Sequence, residues 1–160
     1  MAYHGYMTVT GFRQGLISAG CSTQDSIGNK CQLDHRDEIM VLSFDHNLFN
    51  TDNTQRALHQ PFYITKMIDK STPLLAQALD TGERLECKLH FFRTSAAGFK
   101  EKYYTVTLSG AVIVQQQVSM PHAVLLNDQE PQEHLAIRYR DIAWVHHIAS
   151  TTGYASWGEE

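Results

Sequence analysis

The run Gly15-Leu-Ile-Ser-Ala-Gly-Cys-Ser22 has the spacing of a phosphate-binding loop, G-x-x-x-x-G-K-[ST]. Such a loop cradles phosphate with backbone amides and a lysine, and here Cys21 stands where the lysine belongs. No strand pattern precedes the run and no helix pattern follows it, so the helix dipole that would hold an anion is missing as well. It reads as a glycine-rich surface loop, and nucleotide binding is not expected.

Nine histidines raise the question of metal binding or general-base chemistry: His4, His35, His46, His59, His90, His122, His134, His146 and His147. Zinc requires four converging ligands, or three and a water, and the chain contains no C-x-x-C, no H-E-x-x-H and no close Cys-His group. Asp45 could orient the imidazole of His46, yet no nucleophile signature such as G-x-S-x-G accompanies it. On a regular strand His146 and His147 point to opposite faces and do not form a ligand pair. His35, Asp37 and Glu38 belong to one polar loop, and Asp128, Glu130 and Glu133 lie in a polar segment with Pro131. The expectation is hydrogen-bonded or surface histidines and no catalytic, cofactor-binding or metal-binding residues.

Three cysteines cannot all pair within one chain. Cys87 shares an apolar alternation with Leu85, Leu89 and Phe91 and reads as a reduced core residue. Cys21 and Cys31 bracket a polar loop and would form a disulfide only if the folded protein reached an oxidising space with suitable geometry.

Thirteen Lys and Arg stand against 17 Asp and Glu, a formal net charge of −4, and no basic arm is present. Nucleic-acid binding is therefore not expected, and Tyr103-Tyr104 and Phe91-Phe92 read as core and interface packing rather than a base-stacking platform. No apolar run is long enough for a membrane span, so membrane insertion is not expected either. The N-terminus lacks the pattern of a secretory signal, which predicts cytoplasmic synthesis and leaves export by a machine for folded proteins open. A chain of 160 residues fits a single domain over 1–160, without a C-terminal enzymatic extension.

Such residues must be positioned by strands, because period-two alternation dominates the chain. Strands are predicted over 39–48, 61–68, 84–93, 101–114, 134–140 and 142–148, the last two either separate or one strand broken near Asp141. In the first, Met40, Leu42, Phe44 and Leu48 share a face; in the longest, Tyr104, Val106, Leu108, Val112 and Val114 oppose Tyr103, Thr105, Thr107, Ala111 and Ile113. One short helix is predicted at about 73–81, capped by Thr72, with Pro73 in its first turn and Gly82 just past its end. The polar stretches 11–38, 50–60 and 119–133 read as long loops serving binding or assembly. The fold expected is mainly β: a closed or nearly closed β-barrel of antiparallel-rich sheets with one short flanking α-helix. Several strands are apolar on both faces while a single helix is available to cover them, so self-association is expected.

In this order, four stretches closely resemble the Hcp, or haemolysin-coregulated protein, family: Glu38-Ile-Met-Val-Leu-Ser-Phe-Asp-His46, His59-Gln-Pro-Phe-Tyr-Ile-Thr-Lys-Met-Ile-Asp-Lys-Ser-Thr-Pro73, Tyr103-Tyr-Thr-Val-Thr-Leu108 and Ile137-Arg-Tyr-Arg-Asp-Ile-Ala-Trp144. The early loop Gly15 to Lys30, longer than is usual, and the tail Ser156-Trp157 are similar to an enterobacterial-type branch. The resemblance implies a structural subunit of the type VI secretion system inner tube, with homohexameric rings that stack and hold effector proteins in their lumen. It further implies a VgrG-type spike protein at the tip, a contractile sheath around the tube, and export on firing. Ring or stacking contacts are then expected at His59, Tyr63, Lys66, Asp69 and Lys70, and at Gln24, Asn29 and Asp52 in the loops 15–34 and 50–58. The competing readings are a non-enzymatic β-barrel module that binds a small ligand or peptide, and a metal-assisted hydrolase built from the histidines.

Overall fold

The computed structural model describes residues 3–28, 35–50 and 56–157. The element order is β1 (His4–Gly11), β2 (Gly15–Leu16), α1 (Gln24–Ile27), β3 (Ile39–Asp45), β4 (Leu48–Phe49), β5 (Leu58–His59), β6 (Phe62–Met67), α2 (Thr72–Thr81), β7 (Leu85–Thr94), β8 (Lys100–Ser119), β9 (Gln132–Arg138), β10 (Asp141–His146) and β11 (Thr151–Ser156). Asn29, Cys31 and Asp52 lie outside the described residues.

Nine strands form one sheet in the order β11-β10-β8-β7-β1-β3-β6-β9, with β2 beside β1, while β4 and β5 make a separate two-stranded ribbon. All pairings are antiparallel. The turn Ser95 to Phe99 joins β7 to β8, with Gly98 at φ 87°.

The expected closed or nearly closed barrel is corrected by this order, which is a path with ends. β9 does return to the far half of β8, from Val112 to Ser119, and so curls the sheet. The near half of β8 lies between β7 and β10, and the sheet continues past β10 to β11, which pairs with β10 alone among the described residues. A closed barrel has no such edge. Alternation reports which side chains face inward; it carries no information about which strand ends the sheet. Neither β1 nor β11 is expected from the alternation, and both lengthen the sheet.

Two bulges set which residues reach the core. Gly110, at φ 59°, sits where β8 passes from its β7 and β10 partners to β9. Val106 and Leu108 are buried before it and Ala111 and Ile113 after it, so the inward phase changes by one residue and Val114 is exposed. A second shift between Val41 and Ser43 leaves Leu42 exposed and turns Phe44 toward Phe62, to which it stacks at 5.6 Å. Each of these bulges breaks a uniform alternation predicted across the strand.

The helix α2 starts one residue before the predicted range. Ser71 is its N-cap residue, Pro73 lies in the first turn, and Gly82 closes it in the left-handed conformation, its N–H donating to Ala78 O and Leu79 O. Leu75 and Ala78 are buried against the sheet, and Leu74 and Leu79 pack at the margin. The core joins these to Val9, Ile39, Ile64, Leu89, Leu108, Ile137 and Ile142.

Candidate functional site

Lys66 is in phase with Phe62 and Ile64 on β6 and therefore points inward, where an unpaired ammonium would be very costly. Its Nζ lies 2.6 Å from Glu133 Oε1 on β9 and 2.8 Å from Asp69 Oδ1 in the turn before α2, and it also donates to Met67 O. The carboxylates are held in turn. Ser71 donates to Asp69 Oδ1 from both its amide and its hydroxyl, Thr72 Oγ1 donates to Glu133 Oε1, and Gln116 Nε2 on β8 donates to Glu133 Oε2 at 2.7 Å. One cation and two carboxylates thus tie β6, α2, β9 and the far half of β8 together. Buried ion pairs of this kind contribute little net stability over an apolar core, but losing one partner is severe.

A third buried carboxylate lies at the opposite end of α2. Glu83, just after α2, accepts from the amides of Arg13 and Gln14 and from Gln14 Nε2. Burial pushes its carboxyl up, and the hydrogen bonds from Gln14 and Arg13 outweigh that and hold it below the ordinary value. Gly11 is glycine for a steric reason: a Cβ there would collide with the Glu83 carboxylate and come within 3.1 Å of Ile17 Cδ1.

Five of the nine histidines meet hydroxyls. Tyr139 Oη lies 2.9 Å from His46 Nε2 and 2.7 Å from His59 Nδ1; Thr105 Oγ1 lies 3.0 Å from His90 Nδ1 and 2.7 Å from His147 Nε2; Thr65 Oγ1 meets His134 Nδ1. Burial lowers His46, His59 and His90 below the ordinary imidazole value. Among the described residues no group of three or more His, Cys, Asp or Glu is placed to hold a metal ion. Burial pushes the Cys21 thiol up to about 11 and the Cys87 thiol up to about 12. Gly15 and Leu16 of the phosphate-loop-like run form strand β2 against β1, and Cys21 is buried behind it.

The sequence-derived contact residues fall into separate places. Lys66 is wholly buried and Asp69 nearly so, which leaves them beneath the neighbouring surface residues. Lys70 is exposed, its amide donating to Ser26 Oγ, and together with Gln24, Arg36 and Asp69 it borders a shallow concavity of about 750 Å3. Tyr63 is exposed on the outward side of β6, at the rim of a concavity of about 570 Å3 that also includes Asp45, Thr65, Gln117 and His134. His59 ends β5, half-buried against Tyr139 and Trp157. The sequence reading assigns no site role to Glu133, Thr72, Gln116 or Tyr139. The signal that would have placed Glu133 inward is its phase, since it alternates with Leu135 and Ile137 as Tyr139 does.

Outside these clusters several large apolar side chains are exposed. Leu48, Phe49 and Leu58 are exposed on the β4–β5 ribbon; Val118, Met120, Val124 and Leu125 are exposed at and beyond the far end of β8; and Tyr154 is 69% exposed on the edge strand.

The fold is thus a curled antiparallel sheet with a flanking helix and exposed apolar side chains at its ends. Residues 6–146 match the family described as "Type VI secretion system effector, Hcp", and the chain belongs to this Hcp family of type VI secretion tube proteins. It is 40% identical, over 98% of its length and 96% of the relative's, to the "Major exported protein" of Pseudomonas aeruginosa. Among solved structures, it superposes on a protein described as "Crystal structure of Hcp protein" with a TM-score of 0.92, 35% identity, and coverage of 99% of this chain and 100% of the other. It superposes on the secreted protein Hcp3 from Pseudomonas aeruginosa with a TM-score of 0.87, 40% identity and the same coverage.

Proposed function

We propose that the chain is a structural subunit of the type VI inner tube, folded as one domain over 1–160, which closes into homohexameric rings that stack. The observation that carries this reading is the combination of full-length similarity to the Hcp proteins with the exposed apolar side chains of the ribbon, the β8–β9 end and the β11 edge. Sister copies would cover these surfaces, in heterologous contacts that use different patches of each protomer. His59, Tyr63, Lys70 and Gln24, with Asn29 and Asp52, are assigned to ring or stacking faces. Lys66 and Asp69 are assigned to holding α2 and β6 in register beneath them.

In this reading the protein has no catalytic site and no cofactor. The lumen of the ring confines effector proteins, a VgrG-type spike caps the tube and a contractile sheath surrounds it. The subunit is made and assembled in the cytoplasm and leaves through the machine without a signal peptide. The name "Major exported protein" of the Pseudomonas relative supports export. Stacking is assigned the weaker contact, because a tube must form on demand and come apart after delivery. Serial dilution followed by electron microscopy tests the order: rings should persist at concentrations where stacks have dispersed, and stacks outliving rings would overturn it.

A further inference from the structure

Tyr139, 2% exposed in the short gap between β9 and β10, offers one hydroxyl to two imidazoles. His46 directly follows β3, two residues before β4 begins, and His59 ends β5, so both roots of the β4–β5 ribbon are pinned to the same oxygen. Trp157 closes the site, stacked on His59 at 5.7 Å and edge-on to Tyr139 at 5.0 Å, while Phe62 lies 5.1 Å from His46.

Proton counting makes this arrangement conditional. A phenol has one hydrogen to donate, so one imidazole must accept it through a bare nitrogen while the other donates its N–H to the phenol oxygen. One added proton can sit on the donating imidazole without breaking either bond. A second must go to the accepting nitrogen, where it faces the phenol hydrogen and a like charge held against the same oxygen.

We propose that Tyr139, His46 and His59 form an acid-released latch that holds the β4–β5 ribbon on the body of the protomer. The latch is a property of the single chain and does not rest on ring formation. The charged groups around it are Asp45, which favours the charged form of His46; Arg56, which disfavours that of His59; and Arg138, whose guanidinium lies 5.1 Å over the Trp157 ring. Burial comes first for both imidazoles, followed for His46 by His59 itself, and both are held below the ordinary 6.5. Since both folded values are depressed, the latch is at full strength above 6.5 and is lost as pH falls through the folded values. The ribbon it restrains carries the exposed Leu48, Phe49 and Leu58, so release changes how an apolar surface is presented.

Hydrogen exchange of the full chain from about pH 7.5 to about pH 4.5, the range in which imidazoles titrate, tests the latch after correction for intrinsic rates. Peptides covering residues 46–49 and 58–59 should lose protection by roughly tenfold or more, about 1.4 kcal/mol at one decade per 1.4 kcal/mol, with the midpoint below 6.5 while β7 and β8 stay protected. Tyr139→Phe should be unprotected in the ribbon across the range. His46→Gln with His59→Gln should remove the step, because an amide can give and take hydrogen bonds without titrating. Ribbon amides that stay protected throughout in the parent chain, a parent-like step in Tyr139→Phe, or an unchanged step in the double glutamine variant would each overturn the latch. Light scattering on the same samples separates the two proposals: a change of mass with the ribbon still protected sinks the latch and leaves the tube reading standing.

Discussion

Lys66 Nζ and Glu133 Oε1 are 2.6 Å apart, with both side chains wholly buried and the two residues directly paired across β6 and β9. The contact lies beneath the start of α2, because Thr72 donates to the same Glu133 oxygen. One ion pair therefore sets the register of two strands and the seat of the helix.

Lys66→Met should destabilise the protomer by about 3–5 kcal/mol, the cost of leaving a buried charge without its partner. Adding Glu133→Gln should recover part of that loss. Urea unfolding of the parent, both single variants and the double variant gives the coupling; strictly additive losses would show that the pair does not act as a unit.

Leu75→Ala empties a buried position between α2 and the sheet and should cost about 2–5 kcal/mol. Leu74→Ala, at the margin of the core, should cost less. Thermal unfolding of the two variants ranks them, and the reverse order would contradict this seating of the helix.

Gly110→Ala should be destabilising by about 1–3 kcal/mol, because the residue is at φ 59° and a Cβ would lie 3.0 Å from Arg140 Cβ. Gly98→Ala shares a positive φ but meets open space, so it measures the backbone contribution alone. Denaturant midpoints of the two variants distinguish strain from collision, and equal midpoints would leave the Arg140 contact without a role.

Glu83 sits below its ordinary value of 4.5, so its contribution is present above that pH and is lost as pH falls through the folded value. Glu83→Gln should therefore be less stable near neutrality and show a shallower loss of stability in acid. Melting temperatures of both proteins as a function of pH check the sign, and parallel acid limbs would refute it.

Buried thiols at about 11 and about 12 should make Cys21 and Cys87 slow toward thiol reagents in the native state. Peptide mapping after brief alkylation should find both unmodified, and both labelled once urea unfolds the chain. Rapid native labelling of Cys87 would contradict its place in the core.

How much of this was legible in the sequence depends on the residue. The helix was readable because Pro73 and Gly82 punctuate it, and the strand cores were readable because Phe62 with Ile64 and Leu135 with Ile137 keep strict alternation. Lys66 and Glu133 keep the same alternation, but a charged residue in an inward phase reads as a surface residue until its partner is known, and that partner lies 67 positions away. The bulges at Leu42 and Gly110 were not legible, because an inserted residue leaves composition unchanged and reveals itself only through the neighbouring strand. The free edge at β11 was hidden for the same reason. Its mainly exposed residues, Thr151 to Ser156, include Thr151, Thr152 and Gly153, which carry little periodic signal.

The account stands most directly on the mass of the purified full-length chain in solution. Light scattering over a wide concentration range should give a species of six 18.1 kDa chains that persists on dilution, with annuli of sixfold symmetry in electron micrographs of the same sample. A stable species of one or two chains at every concentration, with its apolar ribbon and edge strand still open to solvent, would contradict it.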